Sequence, residues 1–210
     1  MAVLPCNHRV KSMDMNTVAG QINFVLEADK LKTIVRNTLL TDRSRLENAA
    51  EHSWHVALTA MVFFDSAPAE GMDLHRILKM LLVHDLVEID SGDLLCYHTD
   101  QIPAQKEKER KAAERIFGML TGGLGDKMRQ LWQEFEALET PESRFANAVD
   151  RLQPLLQAIR TDGQTWRQHG IRKDQVVQRM QPIRTALPHL WGYVLKMIDN
   201  AAEAGFLVQQ

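Results

Sequence analysis

The chain has 210 residues, 45% of them hydrophobic and 25% charged, the balance of an ordinary folded protein that can bury a sizeable core within one domain. A formal net charge of -2 supplies no basic field to hold long nucleic acid by counterion release, which excludes that partner, although a few local arginines can still bind a small phosphorylated ligand. Nowhere does an apolar run reach the roughly 18 residues needed to cross a bilayer, so no membrane partner is expected.

In chain order, residues 1–16 mix Pro5, Asn7, His8, Arg9, Lys11 and Asp14 without an apolar core of signal-peptide length, and read as a flexible tail. Residues 17–210 read as one helical domain. The two cysteines, Cys6 and Cys96, form neither a close pair nor a metal-type spacing, which fits a reducing cytoplasm. Apolar residues recur at helical spacing through Ile22, Val25, Leu26, Ile34 and Val35, then Val56, Ala60 and Phe63, then Ile77, Leu78, Leu81 and Leu82. Further helices are expected over 106–120, 128–138, 141–159, 174–183 and 188–204. Thr140, Pro141 and Glu142 supply a cap, a proline for the first helical position and an acid for the first turn, and Gly205 supplies a stop. The spacing predicts no strand, so the fold class is all-α, a single-domain helical bundle. Charges over Lys106 to Arg115 alternate in sign, the pattern of a solvated helix face.

The informative stretch is 74–88. Advancing 100° per residue from Leu74, Asp85 falls near the centre of the apolar stripe, Glu88 beside Leu81 and His84 at the stripe's edge. Val83 and Val87 lie opposite, so the helix is apolar nearly all round and is expected to sit centrally and enclose its site. Two carboxylates then face a core, and burying an ionised carboxylate is costly unless it is paired, hydrogen-bonded or bound to a metal. On the preceding helix the same projection puts His52 on the stripe of Val56, Ala60 and Phe63, and His55 toward its edge. His52, His84, Asp85 and Glu88 make a mixed nitrogen and oxygen set suited to Mn, Fe, Co, Zn or Mg, whereas structural zinc sites prefer cysteine. Asp150 lies off the stripe of Phe145, Val149, Leu152 and Leu156, and on periodicity alone reads as a solvated aspartate. His55, Trp54, Trp132, Trp166 and Trp191 read as packing residues.

The run Glu51-His52-Ser53-Trp54-His55, the later His84-Asp85-Leu86-Val87-Glu88 with Ser91-Gly92-Asp93, and the distant Phe145-Ala146-Asn147-Ala148-Val149-Asp150-Arg151 together resemble the HD superfamily of metal-dependent phosphohydrolases. Within it the chain looks most like the branch containing bacterial 5'-deoxynucleotidases, over about residues 23–156. The resemblance implies an HD-type helical bundle in which His52, His84, Asp85 and Asp150 bind one divalent metal ion, Mn, Co, Mg, Fe or Zn. It implies Glu88 as the catalytic glutamate and Asp93 as its companion acid, with a metal-activated water removing the 5'-phosphate of a (deoxy)nucleoside monophosphate. Arg36 stands where those enzymes carry an Arg-Trp pair that contacts substrate, with Asn37 in the tryptophan's place and a slightly longer loop to His52. Arg43 and Arg45, in that loop, are the alternative phosphate-binding candidates. Another phosphohydrolase of the superfamily, acting on a nucleoside triphosphate or an alarmone, is the competing enzyme, although Ile89 stands where an alarmone hydrolase would carry an aspartate. A metal-stabilised regulatory module without catalysis is the non-enzyme alternative. Members of the family often form homodimers.

Overall fold

Apolar periodicity brings most of these helices into being, and polar caps decide where they begin. The computed structural model describes residues 14–98 and 100–208. Helix α1 (Met15–Ala28) starts beneath Asp14, whose carboxylate accepts from the Thr17 amide at 2.9 Å, so Met15 and Asn16 belong to the helix and not to the tail. The rest of the expected tail, residues 1–13 with Cys6, lies outside the described residues.

Ile34 and Val35 do not extend the first helix as their spacing predicts. A 3-10 turn over Asp29–Thr33 ends it, and the chain runs extended into a hairpin in which β1 (Val35–Leu39) pairs antiparallel with β2 (Leu46–Asn48). Val35 stands opposite Asn48 and Leu39 opposite Leu46, with an irregularity between them. This hairpin corrects the strand-free expectation; only a tertiary partner stabilises so short a pair, and β1 packs against the bundle.

Helix α2 (Ala49–Phe63) follows directly, started by a capping box in which the Asn48 side chain accepts from the Glu51 amide at 2.9 Å and the Asn48 amide donates to Glu51 Oε2 at 3.2 Å. The expected helix over 74–88 is broken. Regular α3 (Leu74–Val83) gives way to a 3-10 turn, His84–Val87, and then to the single turn α4 (Glu88–Ser91), which Gly92 ends at φ 73°, a left-handed value that glycine adopts without strain. Val83 and Val87, opposite the stripe, are buried as a centrally placed segment requires, whereas Leu82, predicted on the stripe, is exposed.

The remaining helices are α5 (Ile102–Phe117), α6 (Leu124–Ala137), α7 (Pro141–Arg160), α8 (Gln164–Gln168), α9 (Lys173–Arg179), α10 (Gln181–Ala186) and α11 (Pro188–Glu203). Thr140 caps α7 as expected, accepting from the Ser143 amide at 3.1 Å with Pro141 in the first turn, and Gly205 at φ 74° follows α11. The helix predicted over 174–183 is instead two short ones meeting at Met180. Helix α7 is the central rod: Phe145 through Val149 are all buried, and it packs on α2, α3, α6 and α10. One apolar cluster joins α2, α3, α7 and the C-terminal helices; another joins α1, the 84–87 turn, α5 and α6. Among the described residues no helix is long and apolar enough to cross a membrane.

Candidate metal and substrate site

Between the two clusters the chain places its misplaced polar residues. His52, in the turn after the α2 capping box, is fully buried. Its Nδ1 donates to Gln153 Oε1 at 3.0 Å, and its Nε2 lies 2.9 Å from Asp150 Oδ1. His84, in the 3-10 turn, donates from Nδ1 to the Leu81 carbonyl at 2.8 Å. Its Nε2 is buried without a hydrogen-bond partner, 3.1 Å from Asp85 Oδ1 and 3.6 Å from Asp150 Oδ1. Because each ring spends its Nδ1–H on an oxygen acceptor, each turns an Nε2 lone pair to the same point. Asp85 Oδ2 reaches to 3.8 Å from His52 Nε2. Atoms of His52, His84 and Asp85 lie within 4.8 Å of one another.

Two imidazole lone pairs facing two carboxylates repel unless a cation sits among them. In the metal-free chain a proton takes that place. Burial pushes the His84 imidazolium down, but Asp85 and then Asp150 outweigh it and hold its pKa at about 9. Burial likewise opposes charge on Asp150, yet His52 and His84 hold its carboxyl well below the usual range. The orphaned His84 Nε2 and the two-nitrogen, carboxylate-oxygen donor set fit a divalent metal ion that also takes imidazole. Asp150 reads as solvated in projection because α7 is buried on nearly every side, so its apolar stripe does not mark its inward face.

Arg36 comes to this centre from β1. Its Nη1 donates to Asp85 Oδ2 at 3.0 Å, lies 3.6 Å from Asp93 and 4.0 Å from Glu88, and its Nε is 3.7 Å from Glu47. Burial opposes its charge, but Asp85, Asp93 and Glu88 together raise its pKa above the usual guanidinium value. Burial first, then the Asp85 charge, push the Glu88 carboxyl well above its ordinary range against the pull of Arg36; Glu88 Oε2 is buried without a partner. Asp93 accepts from Asn37 Nδ2 at 3.3 Å, so the residue in the tryptophan's place holds an acid. Arg43 and Arg45 do not come to the site. Arg43 is tied to Asp162 at 2.5 Å, and Arg45 grips Glu51 through two contacts of 2.5 and 2.9 Å. Both are solvent-exposed loop arginines satisfied by nearby acids.

Sequence reasoning missed the layer behind the histidines. Glu47 is buried, and its Oε1 accepts from Gln153 Nε2 at 2.9 Å and Gln157 Nε2 at 2.8 Å. Gln153 Nε2 also donates to His55 Nδ1 at 3.0 Å, so this one amide fixes the ring of His52 while tethered to Glu47. The available signal was Gln153 and Gln157, two amides four apart on a helix otherwise rich in leucine. A cavity of about 370 Å³ opens onto the cluster, lined by Arg36, His84, Asp85, Glu88, Asp93 and Asp150 and extending to Tyr97, Arg151, Trp166 and Arg179. Glu109 lines it from α5, and burial, then the charge of Glu136, push its carboxyl up to about 7. Trp54, expected to pack, is exposed and stacks on His55 at 5.7 Å between ring centroids.

A helical bundle that gathers two histidines and two aspartates beside a cavity has the donor set that could hold a divalent metal ion. The chain belongs to the HD domain family, whose sequence profile matches residues 28–191. It is similar to the 5'-deoxynucleotidase HDDC2 of Mus musculus, 27% identical over 67% of this chain and 69% of that protein. Its similarity to the Homo sapiens HDDC2, also named a 5'-deoxynucleotidase, is 27% identity over 65% of this chain and 66% of that protein. A crystal structure described as a predicted metal-dependent phosphohydrolase from Magnetospirillum magnetotacticum MS-1 superposes with a TM-score of 0.87 and 44% identity, over 92% of this chain and 97% of the other.

Proposed function

We propose that this chain is a metal-dependent phosphoric monoester hydrolase that removes the 5'-phosphate from (deoxy)nucleoside monophosphates, with residues 17–210 acting as one domain in a reducing cytoplasm. The observation that carries the reading is the convergence of His52 Nε2, His84 Nε2, Asp85 and Asp150 at the mouth of a cavity of about 370 Å³, a volume within the range of small-molecule sites. The names of the mouse and human relatives and of the Magnetospirillum structure agree with that class of reaction.

His52, His84, Asp85 and Asp150 would hold a divalent ion, whether Mn, Co, Mg, Fe or Zn, which when bound would supply Lewis acidity toward phosphate and water. The chain's own groups do the rest. Arg36, fixed between Asp85 and Asp93, places a permanent positive charge beside the phosphoryl oxygens and offsets the charge that grows on them. Glu88, buried with one carboxylate oxygen free of partners, accepts the proton of the attacking water and passes it toward the departing sugar oxygen. Asp93, held by Asn37 and Arg36, orients that water and the substrate. The histidine rings cannot turn, because Gln153 and the Leu81 carbonyl hold their Nδ1 atoms.

The chain acts as a homodimer in this reading, since α2 leaves Trp54, Leu58, Met61 and Val62 exposed along one face. Phosphate release from nucleoside mono-, di- and triphosphates, compared with matched metals, tests the substrate assignment. Deoxynucleoside monophosphates should give the highest kcat/KM; a triphosphate cleaved faster than every monophosphate would move the chain to the competing enzyme class.

A further inference from the structure

Two arginines of the cavity take no part in the reaction just described. Arg151 follows Asp150 on α7, and Arg179 ends α9; both line the cavity and are half-buried. Arg151 Nη1 donates to the main-chain carbonyl of Arg179 at 3.0 Å, which brings the second arginine's backbone against the first one's side chain. Arg151 Nε is buried with no hydrogen-bond partner. Among the described residues neither guanidinium has a carboxylate within 4.0 Å, whereas Arg36 in the same cavity has four acids around it. Two neighbouring cations without an acid are costly in a partly buried place, and an oxyanion is the ligand whose geometry matches guanidinium donors.

Their place in the cavity separates them from the metal centre. Successive side chains on a helix diverge by about 100°, so Arg151 projects away from Asp150, which points at the histidines. Cys96 and Tyr97 line the same cavity beside Arg179. From the two guanidinium groups of one cavity wall, neither with a carboxylate within 4.0 Å, and the divergence of Arg151 from Asp150 along α7, we infer that Arg151 and Arg179 form a second oxyanion subsite. Among nucleotides with a single 5'-phosphate, the preferred substrate is therefore one that carries a second phosphate elsewhere on its sugar, as at the 3' position. This inference rests on the cavity being the substrate site of the proposed phosphohydrolase.

Two arms test it. Inorganic phosphate titrated into the metal-free protein, followed by calorimetry, should bind saturably, and Arg179→Gln should weaken that binding at least about tenfold, the scale of one lost charge-assisted hydrogen bond; Arg179→Lys should restore part of it. In the metal-loaded protein, the ratio of kcat/KM for a deoxynucleoside 3',5'-bisphosphate over the 5'-monophosphate should exceed about ten, and should fall by a similar factor in Arg179→Gln and in Arg151→Gln. The Arg179 variant keeps the Arg151 bond to the residue 179 carbonyl, so it remains informative if Arg151→Gln fails to fold. A ratio near one in the parent protein, or one that the variants leave unchanged, overturns the subsite even where nucleotides are hydrolysed. Phosphate binding that depends on Arg179 in a protein that cleaves no nucleotide upholds the subsite and removes the proposed activity instead.

Discussion

Glu88 Oε2 is a buried carboxylate oxygen with no hydrogen-bond partner, an arrangement that costs a protein on the order of 1–3 kcal/mol. In the proposed reaction that oxygen takes the proton of the attacking water. Glu88→Gln should retain the metal yet lose at least about a hundredfold in turnover, the lower range for general acid-base groups; metal content and single-turnover rate measured together check this, and unchanged turnover refutes the role. A second prediction follows from two protons held more tightly in the folded metal-free chain than in the unfolded one. His84 sits at about 9 against 6.5, and Glu109 at about 7 against 4.5. A raised folded value stabilises below the unfolded value and loses that contribution as pH rises through the folded one. Asp150, with a lowered value, has completed its own contribution above 3.8. The metal-free protein should therefore lose thermal stability between pH 4.5 and about 9, while the Tm gain from added Mn grows over the upper part of that range as the metal displaces the His84 proton. A metal-induced gain that shrinks as pH rises contradicts this. At this scale His52, Asp85 and Glu88 were legible as polar groups on apolar faces. Asp150 was legible only through resemblance, and Arg151 and Arg179 not at all, because a charged side chain in sequence carries no mark of whether an acid waits for it.

Capped helices were legible where local signals agree with packing. Thr140 and Pro141 start α7 and Gly205 follows α11 as read. The reading failed where tertiary contact overrides spacing. The chain leaves α-geometry at His84, so a fixed 100° step no longer holds from there on, although Asp85 still ends buried, and Leu82 is exposed despite its place on the predicted stripe. The β1–β2 hairpin was hidden because five half-apolar residues carry too short a pattern to oppose a helical reading, yet it delivers Arg36 and Glu47, a buried acid between exposed Leu46 and half-buried Asn48. Helix α2 shows the converse, burying His52 and Val56 on one face and exposing Trp54, Leu58, Met61 and Val62 on another. Large exposed apolar faces mark interaction sites. Light scattering should report a dimer, and Trp54→Glu should shift it toward monomer without loss of helical content; a parent protein monomeric at high micromolar concentration contradicts the dimer.

At the scale of the molecule, two apolar clusters meet along a seam, and the polar side chains that neither could bury alone gather there. Helices α2 and α7 bring His52 and Asp150 from 98 residues apart to 2.9 Å, while the α3–α4 turn adds His84 and Asp85. Such a convergence is a property of the whole bundle, which is why periodicity marked His52, His84 and Asp85 but left Asp150 and the cavity unseen. The direct test of this centre is to strip the protein of metal, restore Mn, and measure bound metal and phosphate release from a deoxynucleoside 5'-monophosphate, beside Asp85→Ala. The expected result is one equivalent of metal, release that appears only with it, and loss of both in the variant. Metal-independent release, or an Asp85→Ala protein that binds metal and turns over like the parent, would contradict the account.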